Sequence, residues 1–168
     1  MAKWKFEFEG IKEYNEQLEK FALSGSIAII KKAVYEGAGV AVKEVEAAIR
    51  ALPEQSVDKG RYMSPGTKLT KISPAQKRGL LNGLGLAKMR NDKGFVNTRI
   101  GFTGYNSVKT KKYPNGQPNA LIVRSIVKGG GRRKKLLNIV EVCKKSQDAI
   151  SAAMQAQLDK DIKETFGE

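Results

Sequence analysis

The chain has no histidine and a single cysteine, Cys143. Without imidazole there is no histidine-based triad, no histidine–metal site and no imidazole proton shuttle. One thiol cannot close an internal disulfide or build a cysteine-cluster zinc site. A lone free thiol suits a reducing compartment. Long apolar runs are missing as well, and no stretch nears the roughly 18 apolar residues of a membrane span. The opening Met1-Ala2-Lys3-Trp4-Lys5-Phe6 alternates charge with aromatic rings, unlike the apolar run of a signal peptide. Acidic residues are few: 17 Asp and Glu against 31 Lys and Arg leave a net charge of +14. Together these shortages predict a soluble, intracellularly made protein that is not an enzyme, uses no cofactor and is drawn to polyanions.

What is present suits one domain. The 168 residues are 40% apolar and 29% charged, enough to bury a core. Trp4, Phe6 and Phe8 alternate with charged residues and read as a half-buried strand ended by Gly10. Ile11, Tyr14, Leu18 and Phe21 recur at helical spacing, so a short amphipathic helix follows. Ile27, Ile30, Val34, Ala38, Ala41, Val45, Ala48 and Leu52 then predict a long helix over about 27–51, with Ser26 as N-cap and Pro53 as stop. Gly37 and Gly39 fall inside it, each costing roughly 1 kcal/mol relative to Ala. Because they lie in a run of small residues, the expectation at both is close approach of another backbone.

Residues 53–72 read as a long loop. Ser73-Pro74-Ala75-Gln76 matches a capping box with Pro at the first helical position, and Gly79, Gly83 and Gly85 limit the helix it starts. Asn91-Asp92-Lys93-Gly94 is a turn signal, followed by the alternating strand Val96, Thr98, Ile100 and Phe102. Leu84, Leu86 and Met89 are its predicted hairpin partner. Residues 103–119 read as a second mobile loop. The apolar run 120–127 fits strand or helix equally on periodicity. A last helix is expected from about Leu136, with Val140, Cys143, Ile150, Met154, Leu158 and Ile162 on its apolar stripe. The order predicts an α+β fold: a small antiparallel sheet packed against long N-terminal and C-terminal helices, with long loops.

No chemistry-bearing motif is complete. Gly83-Leu84-Gly85, Gly101-Phe102-Thr103-Gly104 and Gly66-Thr67-Lys68 each lack the remaining glycines of a phosphate loop and read as turns. Glu44 with Glu46, and Asp159 with Asp161, sit two apart on helices, so they read as solvated helix faces rather than paired acids. Cys143 reads as a core thiol. The basic clusters are Lys109, Lys111 and Lys112, then Arg132, Arg133, Lys134 and Lys135 after three glycines. The second cluster is placed at a helix start, where cations oppose the helix dipole. Phosphate binding and plain solubility both account for such a cluster. No zinc-finger spacing or base-stacking signature is visible, so any DNA contact would be backbone-directed.

The order of these motifs resembles that of small tail-completion or head–tail joining proteins of long-tailed bacteriophages. Phe6-Glu7-Phe8-Glu9-Gly10 looks like their opening strand, and residues 11–51 like their short helix and long Ala-rich helix. Gly79-Leu80-Leu81 through Phe102 looks like their glycine-led hairpin, and residues 120–129 stand in the place of a later segment. That segment's acidic residue and Gly-Thr are Val127-Lys128-Gly129-Gly130 here. The resemblance implies a structural virion protein: a ring, hexameric by preference, at the neck or tail end, touching neighbouring neck and tail proteins and DNA in its lumen. The rival reading is a stand-alone, sequence-independent nucleic-acid-binding protein using the same cations.

Overall fold

The computed structural model describes residues 26–55, 68–92, 95–130 and 133–166. The predicted strand and short helix of residues 4–21, and most of loop 53–72, lie outside these. Among the described residues the fold is α+β, with five helices and two small antiparallel strand pairs. No helix among them is long and apolar enough to cross a membrane.

Helix α1 spans Ser26–Arg50, within one residue of the sequence expectation at each end. Its buried stripe differs from the predicted one. Ile29, Ala33, Gly37, Ala41, Val45 and Ile49 face inward, four residues apart throughout. Ile27 and Ile30 are exposed. The larger apolar residues of the first half thus yield to small ones, because small side chains let a second helix approach.

That helix is the last one. The predicted single helix from Leu136 is instead a short non-helical segment, then α4 (Ile139–Lys145) and α5 (Gln147–Phe166), with a turn at Ser146. Helix α5 runs antiparallel to α1: Lys32 meets Asp161, while Gly37 faces Met154 and Ile150.

Helix α2 spans Pro74–Gly83. Its capping box is formed as predicted: the Gln76 N–H donates to Ser73 Oγ at 3.1 Å, and the Ser73 N–H donates to Gln76 Oε1 at 3.3 Å. The hairpin follows. Strand β1 (Leu84–Leu86) pairs with β4 (Ile100–Phe102), and β2 (Arg90–Asp92) with β3 (Phe95–Asn97). Between the two ladders the Ala87 N–H donates to the Arg99 carbonyl at 2.8 Å, so the arm is continuous. Gly85 and Gly101 are ladder partners in strand backbone, whereas Gly83 ends α2 and Gly104 is a bend at φ 72°.

The undecided run 120–127 is helical, within α3 (Asn119–Lys128). Ile122 and Ile126 turn inward, and Gly129 closes the helix at φ 72° with its N–H on the Ser125 carbonyl. The core joins Val45, Ile49 and Leu52 to Ile72, Leu80, Ile122, Ile126 and Leu137. Five helical or irregular segments therefore meet over one small apolar centre, which fixes where the surface groups project.

Candidate functional site

The irregular segment 103–119, which the sequence reads as a mobile loop, is closed at its base by backbone hydrogen bonds. The Asn106 N–H donates to the Gln117 carbonyl at 2.9 Å, and the Asn119 N–H to the Gly104 carbonyl at 3.0 Å. Asn106 and Asn119 are buried. From this anchored base Lys109, Lys111 and Lys112 project into solvent. Lys112 lies over the Tyr113 ring, 5.7 Å from its centroid, a weak cation–π contact.

The second basic cluster divides. Lys134 and Lys135 are exposed. Arg132 lies outside the described residues. Arg133 is 7% exposed and does not belong to a solvated charge run. Its guanidinium donates to the Lys71 carbonyl at 2.9 Å and to Gln76 Oε1 at 3.3 Å. The cluster is also not at a helix start. Residues 133–138 are non-helical, with the Lys134 N–H on the Leu69 carbonyl and the Leu136 N–H on the Ile126 carbonyl. The helix-dipole argument for these cations therefore falls, because the sequence alone did not show this non-helical strap.

Arg133 of the strap, α3 and the start of α2 line an open recess of about 570 Å³. Arg133 lines it from one side. Arg124, Ser125 and Lys128 line it from α3, at the three- and four-residue spacing that puts side chains on one helix face. Leu69 and Leu121 supply apolar wall. Gln76 is held there by donating to Gln117 Oε1 at 2.8 Å. Burial lowers the Arg133 pKa, since no carboxylate pairs with it among the described residues. Sequence reasoning missed Arg124 and Lys128. Their spacing becomes meaningful only once 120–127 is known to be helix.

The remaining candidates are structural. Gly37 is buried, and a Cβ there would meet Met154; Gly39 has open space around it. The close-packing expectation thus holds at Gly37 and fails at Gly39, which faces away from α5. Cys143 is half-buried against the core, and desolvation raises its pKa. Glu46 pairs with Arg50 on the α1 surface. Asp161 is 3% exposed and ion-paired with Lys32, which corrects its reading as a solvated face. No family model, no curated protein and no solved structure matches this chain.

Proposed function

We propose that the chain is a structural virion protein of a phage neck or tail end, forming a ring that completes the tail or joins it to the head. The observation that carries the reading is the element order. A long helix with small residues on its buried stripe, a box-capped helix, a hairpin, an irregular connection and closing helices follow the motif order of that phage family. The exposed aromatics add support. Phe95 at the start of β3 is 72% exposed, and Tyr105 at the loop base is 68% exposed. A ring closes through head-to-tail contacts between unlike patches, and buried aromatic anchors are the usual source of interface energy. In this reading the work is self-association and docking, without catalysis. Native mass spectrometry tests it: a single closed stoichiometry is expected, with a hexamer favoured, and Phe95→Asp should shift it to smaller species. A protein that stays monomeric at every concentration, and does not enrich in phage particles, overturns the reading.

The second reading is sequence-independent nucleic-acid binding. Lys109, Lys111, Lys112, Lys134 and Lys135 are exposed and have no acidic partner among the described residues. Its mark is an affinity for any duplex that falls steeply with salt. Affinity independent of salt excludes it.

A further inference from the structure

We propose that the recess between α3 and the 133–138 strap binds the phosphate group of a small organic phosphate monoester. The inference does not rest on the ring reading. A guanidinium carries five N–H donors in a planar fork. In Arg133 some of them are spent on Lys71 and Gln76, which set its orientation, and the group borders the recess without a counter-ion among the described residues. A buried cation held by neutral acceptors alone is incompletely compensated. An anion entering the recess supplies the missing charge.

Three features select the ligand. Arg124 and Lys128 add two cations on the facing helix, and among the described residues no acidic side chain lines the recess. That charge suits a phosphate monoester, which carries about −1.5 to −2 near neutral pH, better than a singly charged carboxylate. Its planar-fork geometry makes Arg the residue suited to bidentate oxyanion recognition. The Leu69 and Leu121 wall gives the organic part a surface to cover, and the volume of about 570 Å³ is that of an ordinary small-molecule site.

Isothermal titration with phenyl phosphate tests the proposal, at constant ionic strength in chloride. Saturable one-site binding is expected, tighter than that of inorganic phosphate or benzoate. The double variant Arg124→Gln/Lys128→Gln removes two exposed cations of the recess and leaves Arg133 in its structural place. It should lose roughly tenfold or more in affinity, the effect of losing charge-assisted hydrogen bonds. Lys111→Gln/Lys112→Gln removes equal charge outside the recess and should bind as the wild type does. Leu121→Glu, at an exposed position on the recess wall, should abolish binding by repulsion. Equal losses in the two double variants would mean diffuse attraction by a basic protein and overturn the site. Benzoate binding as tightly as phenyl phosphate overturns the phosphate assignment, and inorganic phosphate doing so overturns the organic part.

Discussion

A Cβ built on Gly37 would lie 2.5 Å from Cγ of Met154 and 3.2 Å from the Ile150 carbonyl oxygen. Helix α5 is thus seated against bare α1 backbone at this point. Two residues on, Gly39 has nothing within 4 Å of the same construction. The two glycines carry the same intrinsic helix penalty and opposite packing. Gly39→Ala should raise stability by about 0.5–1 kcal/mol, through helix propensity alone. Gly37→Ala receives that gain but must displace Met154 and strain the Ile150 backbone, an overpacking cost of about 1–3 kcal/mol. Denaturant melts of the two variants check this. Equal stabilisation by both would show that α5 can retreat freely.

Asp161 and Lys32 tie the same two helices nearer their other ends, with Lys32 Nζ donating to Asp161 Oδ1 at 3.1 Å. The Gln157 side chain one turn back, and then Lys32, hold the Asp161 carboxyl below its usual range, against the opposing effect of desolvation. A folded-state pKa below the unfolded one stabilises above the unfolded value of about 3.9, and the contribution disappears as pH falls through the depressed value. Asp161→Asn should therefore melt below the wild type at neutral pH, and the gap should narrow only in strong acid. Thermal melts across the acid range decide it. A gap unchanged down to full carboxylate protonation would remove charge from the explanation.

Arg133 separates from its neighbours in stability. Arg133→Ser leaves the Lys71 carbonyl and Gln76 Oε1 without their guanidinium donor and should cost about 1–3 kcal/mol. Lys134→Ser/Lys135→Ser touches exposed side chains and should stay within about 0.5 kcal/mol per site. Urea unfolding of both variants measures the difference. If they behave alike, the buried hydrogen bonds of Arg133 contribute nothing net.

Features written into short stretches were legible in the sequence. The Ser73–Gln76 box, the strand pairing of the hairpin and the bounds of α1 each depend on local chemistry, and the structure has them in place. Features decided across the fold were not. The inward phase of α1 follows from the approach of α5, so counting the larger apolar residues placed Ile27 and Ile30 inside when they are exposed. Ala120–Val127 had no period to choose strand or helix; its contacts through Ile122 and Ile126 made the choice. The Arg132–Lys135 run looked uniform in charge, although Arg133 turns inward beneath Leu69 in a parallel bridge. The recess needs that inward turn and the helical spacing of α3 together, so neither half was visible alone.

The close of α2 onto the hairpin yields the sharpest test of the fold. The Thr103 N–H donates to the Gly83 carbonyl at 2.8 Å, and the Asn119 Nδ2 donates to the Thr103 carbonyl at 2.7 Å. A Cβ on Gly83 would collide with that same Thr103 carbonyl oxygen. The obstacle is backbone, pinned from both sides, so it cannot rotate away as Met154 can at Gly37. Gly83→Ala should cost about 1–3 kcal/mol or more despite the better helix former. Gly85→Ala, one ladder step on and facing open space, should be close to neutral. Hydrogen exchange localises the damage. In Gly83→Ala the amides of β1 and β4 and of Thr103 should lose protection first, while those of α1 keep theirs relative to the global stability. Loss spread evenly over all elements would mean that Gly83 serves the whole core, and that the hairpin has no separate hinge on α2.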